Sequence, residues 1–190
     1  MSQTAHLPRF PTVAAFDAWH ETQPERWELH DGVPVAMPPE HLGHVRTKAL
    51  VWAALREAIR GAGLSCEAVM DGLAVSVPGL RQFIPDATVI CGERLDGAVT
   101  RTDAPVVVVE VLSPATAERD HGVKLEGYFA LPSVQHYLIV SPGAAMVIHH
   151  RRAEGGELRT RLHHAGPITL DPPGIAVAVE AFYEDAMFRP

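Results

Sequence analysis

The chain is poor in the features that define several common classes of protein. Cysteine occurs only twice in 190 residues, as Cys66 and Cys91, so a disulfide framework does not organise the fold and an intracellular protein is expected. The first residues contain no basic stretch followed by an apolar segment, which predicts no secretion signal. The longest apolar run, residues 105–112, is far too short to span a bilayer. These absences predict a cytoplasmic protein that does not enter the membrane.

Positive charge is also scarce. The chain has 16 Lys and Arg against 23 Asp and Glu, a formal net charge of −7. A general, histone-like grip on DNA needs many cationic contacts and is therefore not expected. A local basic cleft, or an acidic site that binds a metal ion, is still compatible with this balance.

Hydrophobic periodicity and turn signals predict an α/β protein with a mixed central β-sheet flanked by helices. Helices are expected at residues 12–21, 42–59 and 117–131, with a final helical turn at 179–185. Strands are expected at residues 27–37 (a hairpin around Asp31-Gly32), 66–77 (a strand or hairpin around Asp71-Gly72), 83–91, 106–112, 134–140, 145–151, 157–163 and 175–179. Residues 1–25 are predicted to form an N-terminal helical segment, and residues 26–190 a single domain.

Glu110 interrupts an otherwise apolar, β-branched run at residues 106–112. Such a run, apolar on both faces, is typical of a central strand. An isolated ionised carboxylate buried there would be very costly, so Glu110 is expected to be paired, protonated or bound to a metal ion. The alternative is a half-exposed position at the end of the strand, paired with an arginine, and the strand alone does not decide between the two.

Asp86 is a second acidic residue within a predicted strand. Aspartate is disfavoured in strands, and the preceding Pro85 favours an edge or a bulge that directs the carboxylate sideways. Taken alone, a simple Pro-Asp turn between two strands explains it better.

Asp120, Lys124 and Tyr128 recur at intervals of four on the helix predicted after the Glu110 strand. Taken alone, Asp120 and Lys124 are best explained as a surface ion pair worth about 0.5 kcal/mol. If that helix packs beside the Glu110 strand, the Lys124 amine approaches the carboxylate instead.

The histidines are weaker indicators of a site. His41 and His44 begin the long predicted helix and could face a site at the sheet edge, although such residues more often cap a helix start. The adjacent pairs at 149–150 and 163–164 have side chains that diverge in strands, which argues against a metal cage. The chain also contains no Walker phosphate loop, no GxGxxG and no Gly-x-Ser-x-Gly elbow.

Together, Asp86, Glu110 and Lys124 form a chemically coherent set. Carboxylates on neighbouring strands can hold Mg²⁺ or Mn²⁺. Such an ion polarises a phosphoryl oxygen and makes a bound water more acidic, and a lysine offsets charge that develops on the phosphate. The set predicts hydrolysis of phosphodiester bonds.

The ordered series of motifs resembles the Uma-type restriction endonuclease family of the PD-(D/E)XK nuclease superfamily. The resemblance covers about residues 27–140. It rests on Glu28-Leu29-His30-Asp31-Gly32, Pro38-Pro39-Glu40-His41, Pro85-Asp86, Val109-Glu110-Val111-Leu112-Ser113-Pro114 and Asp120-x3-Lys124-x3-Tyr128.

The resemblance implies a restriction-endonuclease-like fold and a metal-dependent endonuclease. By this similarity Asp86, Glu110 and the Val111 carbonyl are ligands of Mg²⁺ or Mn²⁺, and Glu28 is an additional acidic residue of the catalytic site. The usual lysine of the superfamily would stand two positions after Glu110, where this chain has Leu112. Lys124, on the following helix, is therefore the candidate for that role.

The same resemblance implies a setting for the site. His41, Asp120 and Tyr128 would line it, DNA would be the substrate, and a homodimer is expected by analogy with nucleases that cut two strands by two-fold symmetry. The alternative is a catalytically inactive member of the fold that acts as a binding or assembly module, which the net charge of −7 favours. Hydrolysis of a smaller phosphoester is a third possibility.

Overall fold

A computed structural model of the chain describes residues 7–112 and 121–183, with only the backbone described at His121. Its helices are α1 (Val13–His20), α2 (Leu42–Ala62) and α3 (His121–Ala130), with 3₁₀ turns at Glu154–Gly156 and Val179–Phe182. Its strands are β1 (Trp27–His30), β2 (Val33–Ala36), β3 (Cys66–Met70), β4 (Ala74–Val77), β5 (Arg81–Phe83), β6 (Ala87–Cys91), β7 (Arg101–Thr102), β8 (Val107–Val111), β9 (His136–Val140), β10 (Val147–Arg152), β11 (Leu158–His163), β12 (Pro167–Leu170) and β13 (Ile175–Ala178).

A six-stranded sheet in the order β11-β10-β9-β8-β6-β3 forms the centre of the fold. Strands β8 and β9 are parallel, and the other neighbours are antiparallel. A second sheet has the order β2-β1-β5-β4-β7, and β12 pairs with β13. The mixed sheet and the inner position of the β-branched strand confirm the fold class predicted from the sequence.

Strand β8 has one core on each of its faces. Val107 and Val109 pack with Leu55 of α2, whereas Val108 packs with Tyr128 of α3. Each fully buried aliphatic side chain of this kind contributes roughly 1.5–3 kcal/mol relative to an exposed one. Because side chains alternate along a strand, Glu110 lies on the same face as Val108 and points towards α3.

Two strand predictions are wrong in their pairing. Residues 66–77 do not form a hairpin around Asp71-Gly72, because β3 belongs to the six-stranded sheet and β4 to the five-stranded sheet. Residues 83–91 are likewise two strands, β5 and β6, in different sheets, with Pro85 and Asp86 between them. Hydrophobic alternation marks a strand but not its partner, so the sequence could not show that the chain crosses between sheets here.

The hairpin predicted around Asp31-Gly32 is confirmed as the β1–β2 pair. Asp31 and Gly32 both have positive φ angles, 49° and 80°, as this two-residue turn requires. A Cβ at Gly32 would lie 2.8 Å from the Phe10 carbonyl oxygen, so glycine is needed there for space as well.

The predicted N-terminal helix is α1. Thr12 caps it by accepting a hydrogen bond from the Ala15 amide at 3.1 Å, and Phe16 packs with Leu29 of β1. In the helix predicted at 117–131, α3 accounts for residues 121–130, and residues 117–120 lie outside the described part. No helix in the described ranges combines the length and the apolar character needed to cross a membrane.

The two cysteines lie opposite each other on β3 and β6 and form a disulfide bond. A single bond between strands that are already paired adds a local cross-link. It does not replace the hydrophobic cores as the organising element of the fold.

Candidate active site

Asp86 lies where the chain passes from β5 to β6, and its backbone amide donates to the Val109 carbonyl at 3.0 Å. Its side chain is buried, and Oδ2 accepts a hydrogen bond from the Val111 amide at 2.6 Å. Burial raises the pKa of the Asp86 carboxyl above its ordinary value, although Lys48 and the Val111 amide act in the opposite direction. The Pro-Asp turn therefore exists, but it directs a buried carboxylate towards the end of β8.

Glu110 meets two side chains of α3. Its Oε1 accepts hydrogen bonds from the Lys124 amine at 3.0 Å and from the Tyr128 hydroxyl at 2.7 Å. Lys124 and Tyr128 are both buried, so the alternative of an exposed Lys124 in a surface ion pair is wrong. The predicted alternative, in which Glu110 pairs with an arginine, is also wrong, because Glu110 bonds to Lys124 and Tyr128.

Glu28 holds the same lysine from the other side. Its Oε1 accepts from the Lys124 amine and from the Ile84 amide, both at 2.9 Å, while Oε2 lies 2.9 Å from Nε2 of His30. Burial alone would raise the pKa of Glu28, but Lys124, His30 and the amide outweigh it and lower the pKa to about 2. Glu28 is therefore a carboxylate throughout the physiological range.

The charges around Lys124 are unequal. Burial, followed by repulsion from Asp86 and Glu28, raises the pKa of Glu110 to about 8 despite the attraction of Lys124. Burial opposes the charge on Lys124, yet Glu110 and Glu28 raise the pKa of its amine well above the ordinary value. Lys124 is thus a permanent cation, whereas burial and the neighbouring carboxylates disfavour the charge on Glu110. A divalent cation beside Glu110 would favour its charged form.

A second set of charged residues, which the sequence did not predict as site residues, lies on the other side of Asp86. The amine of Lys48 lies 2.7 Å from both Glu40 oxygens, 2.8 Å from Asp71 Oδ2 and 3.2 Å from Asp86 Oδ1. One signal was present in the sequence, because Lys48 shares a helical stripe with Val51, Leu55 and Ile59, the buried face of α2.

His44, on the first turns of α2, faces both Asp86 and the end of β8. Its Nε2 lies 2.8 Å from the Val111 carbonyl oxygen and 3.7 Å from Asp86 Oδ2, and its Nδ1 lies 3.3 Å from Glu40 Oε2. Nδ1 is buried and forms no hydrogen bond within the described residues. Each ring nitrogen of His44 thus faces an oxygen, but a neutral imidazole has a proton on only one of them. The other nitrogen directs its lone pair at an oxygen, which is unfavourable unless a cation lies between the two atoms.

The donor atoms around Asp86 are compatible with a divalent metal ion. One atom each from Glu40, His44 and Asp86 lies within 4.8 Å of the others, the one such group of three or more found in the described part of the chain. Carboxylate and carbonyl oxygens suit Mg²⁺ and Mn²⁺, and an imidazole nitrogen suits the transition metal better. Glu110 is not in this group, and its Oε1 accepts hydrogen bonds from Lys124 and Tyr128.

The remaining predicted site residues have different positions. His41 is exposed at the N-cap of α2 and makes no capping hydrogen bond with its side chain. Asp120 lies outside the described residues. The Val111 carbonyl is at the site, beside His44. The paired histidines on β10 and β11 do diverge, since His149 faces His136 whereas His150 bonds to Thr160.

Fold and site together define a nuclease-like α/β protein, and comparison with known proteins identifies the family. The Uma2 family model, described as "Putative restriction endonuclease", matches residues 13–181. The chain therefore belongs to the Uma2 family, as the sequence motifs predicted, and a nuclease-like function is supported.

Two known proteins are similar to the chain. An uncharacterized protein, slr1290, of Synechocystis sp. (strain ATCC 27184 / PCC 6803 / Kazusa) is 29% identical over 194 residues, which cover 97% of this chain and 99% of that protein. A crystal structure of a "putative nuclease belonging to DUF820" from Anabaena variabilis ATCC 29413 superimposes with a TM-score of 0.71 at 14% identity. It covers 91% of this chain and 97% of that one, and it confirms the fold.

Proposed function

We propose that the protein is a metal-dependent endonuclease that hydrolyses phosphodiester bonds in DNA. The observation that supports this most strongly is the position of Lys124, whose amine lies within hydrogen-bond distance of two largely enclosed carboxylates, Glu28 and Glu110. A buried lysine between carboxylates, next to the crossover that carries Asp86, provides both the negative ligands and the positive donor that phosphodiester hydrolysis needs.

Asp86, Glu110 and the Val111 carbonyl are the proposed ligands of Mg²⁺ or Mn²⁺, and His44 adds an imidazole nitrogen. When bound, the ion supplies Lewis-acid chemistry, polarising a phosphoryl oxygen and lowering the pKa of a bound water. Lys124 stays charged, so its proposed role is to stabilise negative charge on the scissile phosphate rather than to accept a proton. Glu28 and Tyr128 position the Lys124–Glu110 pair.

The proposal includes a homodimer in the cytoplasm, in which each protomer cuts one strand of the duplex. Light scattering on the purified protein tests whether it is a dimer, with a mass of twice 20.6 kDa as the expected result. A monomer that still cuts both strands would contradict the paired arrangement.

Plasmid cleavage in Mg²⁺ or Mn²⁺ tests the activity. Wild type is expected to nick or linearise the plasmid, whereas Asp86→Ala and Lys124→Ala lower the rate by at least about 100-fold. Glu57→Gln, which removes an exposed carboxylate of α2, is the matched control and should cleave like wild type. Equal behaviour of wild type and both site variants would contradict the proposal, and an absence of metal binding in calorimetry would favour the binding-module alternative.

A further inference from the structure

The second buried lysine, Lys48, has no part in the function proposed above. Its side chain is 3% exposed, yet its amine lies among three carboxylates, those of Glu40, Asp71 and Asp86. Burying an ammonium is costly unless it is paired, and here three acidic partners compensate for the cost. The three carboxylates form a cage around one cation, and that cation is the ammonium of Lys48.

Other residues hold this cage in place. Arg26 donates to both carboxylate oxygens of Asp71, and the Asp71 amide donates to the Asp86 carbonyl at 3.0 Å. Burial would raise the pKa of the Asp71 carboxyl, but the hydrogen bonds from Arg26 and Lys48 keep it below the ordinary value. The cage is therefore anchored to the same crossover that presents Asp86.

Asp86 faces a different cation position with each of its oxygens. Oδ2 is on the side of His44 and the Val111 peptide group, where the metal ligands are proposed, whereas Oδ1 faces Lys48 at 3.2 Å. In two-metal hydrolases the ions lie about 3.5–4 Å apart, close enough for one carboxylate to reach both. In this chain the ammonium of Lys48 lies on the Oδ1 side of Asp86.

We propose that Lys48 is a built-in cation at the position of a second divalent ion, so that the site binds one metal ion per chain. This inference rests on the metal site of the proposed function. Glu40, His44 and Asp86 have donor atoms close enough to share an ion. Both oxygens of Glu40 are bonded to Lys48, so the ammonium lies between Glu40 and Asp86 Oδ1, and the one proposed ion lies on the Oδ2 side with His44.

Counting bound Mn²⁺ tests the proposal. Electron paramagnetic resonance of free Mn²⁺ during titration of wild type should give one ion per chain. Lys48→Met removes the ammonium but keeps the length of the side chain, and it should bind two ions because the three carboxylates lose the cation between them. Lys48→Arg keeps the charge and should bind one ion, as should Arg56→Met, the matched control that removes a cation of α2 outside the cage.

Thermal melting gives a second readout if loss of the ammonium destabilises the metal-free variant. Mn²⁺ should then raise the melting temperature of Lys48→Met more than that of wild type, because an added ion replaces the missing charge. An equal rise in both proteins, or a variant that stays unfolded in Mn²⁺, would contradict the proposal.

Three results of the count would overturn it: two ions in wild type, one ion in Lys48→Met, or none in wild type. DNA cleavage does not enter this count. A protein that binds one ion but cuts no DNA would end the proposed nuclease function and leave the role of Lys48 intact. A wild-type protein that cuts DNA but binds two ions would support the nuclease function and overturn the proposed role of Lys48.

Discussion

Lys124 and Lys48 are both buried amines surrounded by carboxylates, but they lie in different environments. Lys124 reaches the site from α3, and its partners Glu28 and Glu110 are both almost enclosed. Lys48 reaches it from α2, and two of its partners, Glu40 and Asp71, are about a quarter exposed.

This difference indicates separate tasks for the two cations. Around Lys124 the carboxylates are shielded from water, and burial, followed by repulsion from Asp86 and Glu28, raises the pKa of Glu110 to about 8. Around Lys48 two of the carboxylates, Glu40 and Asp71, are partly exposed to solvent. Hydrogen bonds from Arg26 and Lys48 outweigh the burial of Asp71 and keep its pKa below the ordinary value. We therefore expect Lys124 to act on the reacting phosphate, and Lys48 to complete the charge balance around Asp86.

Exchanging each lysine for methionine should give the largest effect on the cleavage rate and should distinguish the role of Lys124 from that of Lys48. In saturating Mn²⁺, Lys124→Met should lower the cleavage rate by about 10²–10⁴-fold, because no ion can replace a donor aimed at the phosphate. Lys48→Met should stay within about 10-fold of wild type, because a second ion can take the place of its ammonium. Initial rates of plasmid nicking measure both, and equal losses in the two variants would show that the lysines are equivalent.

The titration of Glu110 should distinguish the two environments directly. In metal-free protein its carboxyl should lose its proton with a midpoint of about 8, whereas Glu28, with a pKa of about 2, stays ionised. Carbon-13 NMR of labelled glutamate carboxyls follows both groups, and Glu110→Gln assigns the signal. A midpoint near 4.5 for Glu110 would contradict the burial and the repulsion that are expected to raise its pKa.

The same shift affects stability in a defined direction. The folded protein holds this proton more tightly than the unfolded chain, so the unfolding free energy should fall as pH rises from 4.5 to about 8. The contribution of this one group is at most about 5 kcal/mol. Urea unfolding of metal-free wild type and Glu110→Gln isolates it, and the glutamine variant should show a smaller fall over this range.

The smallest expected effect concerns the packing that brings α3 to the site. A Cβ at Gly127 would lie 2.8 Å from Phe83 Cε2 and 3.1 Å from Val77 Cγ2. Gly127→Ala should therefore lower the unfolding free energy by about 1–3 kcal/mol and displace Lys124. Gly122→Ala is the matched control on the same helix, where nothing lies within 4 Å, and it should be neutral or stabilising by up to about 1 kcal/mol. Equal melting temperatures for the two variants would contradict this account of the packing.

Much of the Lys124 side of the site could be predicted from the sequence. Glu110 interrupts an apolar strand, and Glu28, Asp86 and Lys124 occur in an ordered series of motifs along the chain. These residues are informative because a charge within an apolar strand, or next to a proline at a strand boundary, conflicts with local preference. The metal ligands themselves remain a prediction.

The Lys48 side could not be predicted in the same way. Lys48 comes from α2, Glu40 from the segment before α2 and Asp71 from its turn. Asp71 reaches Lys48 where β3 and β4 separate into different sheets. A lysine in an amphipathic helix and an aspartate in an Asp-Gly turn are both ordinary in sequence. Tertiary pairing, which local patterns do not encode, brings them to Asp86.

A crystal of the protein soaked in Mn²⁺, with data collected at an energy where manganese scatters anomalously, tests the central claim most directly. One peak per chain is expected, at coordination distance of about 2.0–2.2 Å from Asp86 Oδ2 and on the side of Glu110 rather than of Lys48. A peak among Glu40, Asp71 and Asp86, or no peak beside Asp86 at all, would contradict the account.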